Sequence, residues 1–377
     1  MNTKIRLTLM NFLQYAVWGA WLISLGAYLG NTLKFDGLQI GSFFATMGIA
    51  SLFMPAVMGI IADRWIPAQR LLGLCHLFAA GFITLAATRT DYNSLYTLVL
   101  LSVMFYMPTI ALSNSVAYNA LEKAGLDTVT HFPPIRVWGT VGFICAMWVV
   151  DLGKMGLSAT QLYFSATLGL ILGLYSFTLP NCPINRSGGG KSIVDLLGLR
   201  AFALFKQRKM AIFFIFSMLL GMSLQITNAF ADGYIKSFGD TGIHGAKYLG
   251  TFGVEHSTIL ISLSQISETL CILLIPFFLK RFGIKRVMLI AMFAWVLRFA
   301  LLGAGNPGPG VWMFILSMIV YGVAFDFFNI SGSLFVEQEA KSSIRASAQG
   351  LFFMMTNGLG AIMGGYASGA VVDAFSV

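Results

Sequence analysis

Long apolar runs separated by short polar breaks organise this chain. Runs near the roughly 20 residues that cross a bilayer occur at Leu7–Leu29, Leu38–Ala62, Leu71–Ala87, Leu95–Ala117, Ile135–Val150, Gln161–Leu179, Ala211–Phe230, Ser257–Leu279, Val287–Leu302, Val311–Leu334 and Ala348–Val372. The third, fifth and ninth are the shortest. The pattern predicts an all-α polytopic membrane protein. The first run is too long for a removable signal peptide and lacks a small-residue cleavage site, so it reads as the first span.

Composition agrees. Hydrophobic residues make up 57% of the chain and charged residues 10%, whereas soluble domains carry about 25% charged residues. Charge placement then orients the spans. With the N-terminus in the cytoplasm, seventeen of the 24 Lys and Arg fall inside. Only Lys34, Arg89, Lys154, Lys236 and Lys247 fall outside, and Arg136 and Arg298 lie within or near spans. The net charge of +9 therefore reflects anchoring beside anionic lipid, and no nucleic-acid partner is required. Cys75, Cys145, Cys182 and Cys271 show no paired spacing and read as packing residues; His76, His131, His244 and His256 are scattered. No metal site and no cofactor are expected.

The one long polar stretch covers residues 181–209 and divides six spans (1–180) from five (210–377). Its "NRSGGGKS" (185–192) is similar to a phosphate-binding loop, but Asn185 stands where the first glycine is needed and no buried strand precedes it. A flexible cytoplasmic linker is the better reading. The turns "GIIADRWIPAQRLL" (59–72) and "PFFLKRFGIKRVML" (276–289) each join two spans through basic residues. The second resembles the turn of the major facilitator superfamily: Arg281, Gly283, Lys285 and Arg286 fit, while Lys280 replaces the usual acid. Asp63 and Arg64 supply the acid–base pair in the first half, making Asp63, Arg64 and Arg281 the gating candidates. This resemblance implies a major facilitator fold of two six-helix bundles related as parallel repeats. Eleven runs are present where that fold has twelve, so the sequence is expected to lack its last helix.

Thirteen of the fifteen acids fall at loops or span ends; Glu268 and Asp326 are deep. A mid-bilayer charge costs from about 3 to more than 10 kcal/mol. Such an acid is neutralised, paired or facing a wet cavity, and it can carry a proton. Other polar residues form stripes at helical spacing: Gln265 with Glu268, Gln225 with Asn228, Tyr321 with Phe325, and Arg136 with Thr140 and Phe143. Asp326 is the next residue round from Phe325 and need not face the same way. Pro133-Pro134 suits a helix start. Interhelical hydrogen bonding explains any single amide, but four such stripes favour a binding cavity. Two-faced amides beside rings, without a cationic cluster, suit a neutral, polar, partly flat ligand. Gln14 and Trp18 are weaker candidates. Asn329-Ile-Ser331 matches a glycosylation pattern inside a span and is read as chance. The glycines of "GLGAIMGGYASG" read as close helix packing.

The blocks "FPPIRVWGTVGFICAMWVV", "MAIFFIFSMLLGMSLQITNAF", "SQISETLCILLIPFFLKRFGIK", "SMIVYGVAFDFFNISGSLFVE" and "IRASAQGLFFMMTNGLG" resemble the nucleoside:proton symporters of that superfamily. The resemblance implies proton-driven uptake of purine and pyrimidine nucleosides across a bacterial inner membrane, by a monomer using alternating access. It carries the substrate pocket onto Arg136, Thr140, Phe143, Gln225, Asn228, Gln265, Glu268, Tyr321 and Phe325. It leaves Glu268 and Asp326 as the proton-coupling acids. A sugar:proton symporter of the same fold and a non-transporting nucleoside receptor remain as alternatives. No nucleophile–base constellation suggests an enzyme.

Overall fold

The computed structural model describes residues 2–184, 199–240, 245–340 and 345–375. The phosphate-loop-like stretch 185–192, His244 and Lys341 lie outside the described residues. Every regular element described is helical.

The spans form in the predicted order. They are α1 (Thr3–Gly19), α2 (Gly37–Arg64), α3 (Ala68–Ala86), α4 (Tyr92–Lys123), α5 (Thr128–Leu152), α6 (Thr160–Ser176) and α7 (Arg208–Ser237). Ser257–Ala304 is one helical run broken at Gly283, giving α8 (257–282) and α9 (284–304). The last two are α10 (Val311–Glu339) and α11, the latter built from Arg345–Phe353, a π-helical stretch Met354–Gly360 and Ala361–Phe375. Among the described residues, seven helices are long and apolar enough to cross a membrane as assigned.

Four boundaries differ instructively from expectation. The first apolar run is not one helix: after α1 the chain turns at 20–24 and resumes as Leu25–Ala27 and a π-turn, Tyr28–Thr32. Apolar character specifies burial there, not helical continuity. At α8 and α9 the turn shrinks to a single residue, Gly283, at φ 75° and ψ 163°, a conformation only glycine adopts readily. The reversal is real, because Arg298 Nη1 reaches Ser264 Oγ at 3.4 Å; a straight helix would hold those residues about 50 Å apart. The Pro133-Pro134 pair lies inside α5, not at its start. Asp127 begins that helix instead, accepting the Thr130 N–H at 2.9 Å. Finally, two acids placed at span ends are deeply buried. Asp232 is 1% exposed and bonded by Lys236, Ser257 and Thr258; Asp151 is paired with His256 at 2.6 Å.

Other loop acids explain themselves as caps. Asp36 and Gln39 form a reciprocal capping box on α2, and Asp91 accepts from the Ser94 N–H on α4. Hydrogen bonds from Ser94 hold the Asp91 carboxyl below the usual carboxylate range.

Two sets of helices result, each with its own apolar core. Leu7, Leu72, Val116 and Leu121 centre part of the first, and Phe214, Phe327, Val287 and Leu351 part of the second. Large apolar side chains also face outward, among them Leu170, Leu174, Leu273, Phe277, Phe293 and Val296. A surface of that kind suits lipid rather than water. The segment 199–206 packs Ala201 and Leu204 into the second core, so the linker's last part belongs to that bundle.

Candidate functional site

The helices that ring the centre cannot bury their polar stripes in an apolar core without loss, and the two bundles instead turn them toward one another. Between them lies a cavity of about 630 Å³, within the roughly 300–1,000 Å³ typical of small-molecule sites. All nine sequence-predicted substrate residues line it: Arg136, Thr140 and Phe143 from α5, Gln225 and Asn228 from α7, Gln265 and Glu268 from α8, and Tyr321 and Phe325 from α10.

Their side chains are organised. The Arg136 guanidinium lies over the Tyr15 ring, 4.0 Å from its centroid. Tyr321 and Phe325 stack with centroids 5.5 Å apart and planes 8° from parallel, a flat double platform. Asn228 Nδ2 donates to Gln225 Oε1 at 3.0 Å, and Gln225 Nε2 donates to the Phe44 carbonyl at 3.2 Å. Gln225 thus orients Asn228 and also reaches α2 in the opposite bundle. Glu268 opens on the cavity, whereas Asp326 does not line it. Asp326 is 5% exposed, and its Oδ2 has no hydrogen-bond partner.

The family-model comparison then assigns the chain. The model described as nucleoside H+ symporter matches residues 1–377. The chain belongs to the nucleoside H+ symporter family. It is 52% identical to the nucleoside permease NupG of Escherichia coli K12, across the whole chain and 89% of that protein. It is equally 52% identical to the xanthosine permease of the same organism, over 100% of the chain and 90% of the relative. A crystal structure of a mutant of nucleoside transporter NupG superposes with a TM-score of 0.96 at 51% identity, covering 100% of this chain and 93% of that one. A D-xylose-proton symporter superposes with a TM-score of 0.68 at 12% identity, covering 98% and 90%, which shows the shared major facilitator fold alone.

In this nucleoside H+ symporter the cavity wall reaches toward one end of the bundles. Its lining includes Pro55, Asn114, Gly350 and Phe353, which lie toward the end carrying Arg64, Lys123, Arg281 and Arg345, the basic end. At the far end the bundles touch. Asp373 accepts from the Gly37 and Leu38 N–H groups at 2.5 and 2.8 Å, Trp148 Nε1 donates to Ser262 Oγ at 2.9 Å, and His256 meets Asp151. Beside them, α2 and α11 approach backbone to backbone: a Cβ on Gly41 would sit 2.0 Å from the Gly365 carbonyl oxygen. Among the described residues, the hydrogen bonds that cross between the bundles all lie at the far end or, for Gln225 and Phe44, beside the cavity. Asp63, Arg64 and Arg281 are exposed at the basic end, and none makes an ion pair among the described residues. This is a state open at the basic end.

Sequence reasoning missed several lining residues. Tyr15, Ser51 and Asn114 carry no distinctive spacing. Thr356 and Asn357 face the cavity from the π-helical stretch of α11, where a wider turn breaks the expected stripe; such bulges recur at functional sites. Trp18 does line the cavity, braced by Phe143 at 6.3 Å and Tyr106 at 5.8 Å. Gln14 does not. It lies behind the wall, donating to Thr109 Oγ1 at 2.7 Å, bonded to His76 Nε2 at 2.8 Å and receiving the Tyr106 hydroxyl on its carbonyl, and it fixes the segment that presents Tyr15 and Trp18.

Proposed function

We infer that this protein carries nucleosides, purine and pyrimidine, together with protons across the bacterial inner membrane, as a monomer with its N-terminus and basic end in the cytoplasm. The observation that carries the reading is the central cavity itself. It gathers an aromatic platform, amides and an acid from the second bundle and sets them opposite Arg136, Thr140 and Phe143 of the first. The platform of Tyr321 and Phe325 suits a flat base, with Phe143 as a second stacking surface. The amides and Glu268 suit ribose hydroxyls and base edges. Among the described residues Arg136 is the one Lys or Arg on the cavity wall.

The coupling follows from electrostatics. Closing the cavity removes water from Glu268, and a charged acid sealed away from water is penalised by several kcal/mol. The carrier therefore occludes with that acid protonated and releases the proton after opening inward. Glu268, on the cavity wall, exchanges protons with water directly; Asp326, buried off the cavity, is the second acid of the pair. Arg136 faces the same space and either pairs with the acid or holds the substrate. One charge moving down about 100 mV supplies roughly 2.3 kcal/mol, equivalent to about fifty-fold accumulation. Asp63, Arg64 and Arg281 are free to form the cytoplasmic gate in the outward-open state. The proton gradient is the energy source, without a cofactor.

The test is uptake of labelled uridine by purified protein in proteoliposomes under a proton gradient. Glu268→Gln is expected to keep nucleoside exchange and lose uphill accumulation. If accumulation survives, Asp326 carries the proton. Competition by free sugars but not nucleosides would favour a sugar symporter, and binding without uptake would favour a receptor.

A further inference from the structure

Arg298 belongs to no part of the site described so far, yet among the described residues it stands with Phe43 and Phe44 as one of the largest fully buried side chains. It lies in α9 and is 2% exposed. Among the described residues no carboxylate stands within ion-pair distance of it. Its Nη1 donates to the Ser317 carbonyl at 3.0 Å and to Ser264 Oγ at 3.4 Å, and Ser317 Oγ returns a bond to the Arg298 carbonyl at 2.9 Å. Its guanidinium carbon lies 4.6 Å from the Tyr321 ring centroid and 6.0 Å from that of Trp295.

The positions of these partners matter. Ser264 immediately precedes Gln265 on α8, and Ser317 lies one turn before Tyr321 on α10. One side chain therefore ties together the two helices that present Gln265, Glu268, Tyr321 and Phe325 to the cavity. A cation buried in a bilayer without a counter-ion costs several kcal/mol, and simple packing of α8 against α10 would be met as well by an apolar residue. What only a guanidinium adds is a flat, charged plate that stacks on a ring while donating in fixed directions.

We propose that Arg298 is a positioning residue of the substrate site, holding Tyr321, and through it the stacked Phe325, as the platform for the base. The proposal rests on the nucleoside reading above. Lysine keeps the charge but neither the plate nor the fork, so it does not substitute. Loss of one desolvated cation–ring contact and its hydrogen bonds translates to roughly tenfold in affinity.

The experiment compares uridine and adenosine uptake by unmodified protein, Arg298→Lys and Arg298→Met in proteoliposomes, with calorimetric uridine binding to each purified protein. Both variants are expected to raise KM and Kd about tenfold while kcat stays within twofold. Ser264→Ala, which removes only the α8 bond, is expected to raise KM severalfold and covers the case in which the Arg298 variants do not fold. A normal KM in Arg298→Lys, or in Ser264→Ala where the Arg298 variants do not fold, overturns the proposal, and so does a fall in kcat at unchanged KM. Absence of saturable nucleoside uptake by the unmodified protein defeats the nucleoside reading and the platform together. Normal uptake with unaltered variants defeats the platform alone.

Discussion

A single methyl group at Gly41 tests whether the α2–α11 contact is the gate at the closed end. In this structure, open at the basic end, the ideal Cβ at Gly41 lies 2.0 Å from the Gly365 carbonyl oxygen and 2.8 Å from its carbon. Ordinary contact needs about 3.4 Å, so the two backbones must part by more than an ångström. Overpacking of this kind costs about 1–3 kcal/mol, and here the cost falls only on the state in which the helices touch. The equilibrium should move roughly 5- to 150-fold toward the state in which that end is open. Spin labels at Leu157 and Leu249, both exposed on closed-end loops of opposite bundles, read the change by pulsed electron resonance. Gly41→Ala should lengthen the distance between them, Gly41→Val should do so more, and release from the basic end should slow in step. An unchanged distance distribution with normal uptake would refute the idea that backbone contact between α2 and α11 seals the carrier.

Other expectations follow from single contacts. His256→Ala removes the 2.6 Å contact with the buried Asp151 carboxylate that joins the bundles at the closed end, and should shift the same label distance in the same direction. Phe325→Ala removes half of the platform and should weaken uridine binding, measured calorimetrically, about tenfold, with no such loss for Val371→Ala on the lipid face. Asp36→Ala removes the capping box of α2 and should lower stability by about 0.5–2 kcal/mol, read as a lower thermal midpoint in detergent at unchanged KM.

Runs of apolar residues, the basic turns and the paired amide and aromatic stripes are local patterns. They determine the number and order of the spans, the side carrying most positive charge, and all nine candidate substrate positions, because helical periodicity fixes which residues share a face whatever the neighbours do. The separation of Asp326 from Phe325 follows from the same 100° step. Other features arise only when distant segments meet. Gly283 could close a helix reversal, but Arg298 meeting Ser264 required α8 and α9 to fold back. Asp232 and Asp151 read as loop acids until Ser257 and His256 arrived from another helix to bury them. Gln14 differs from Gln225 by what tertiary packing set around it, a histidine and a threonine in one case, and in the other the Phe44 carbonyl, Asn228 and the cavity. Periodicity assigns a side chain to a face; only the packed bundles decide whether that face meets lipid, protein or substrate.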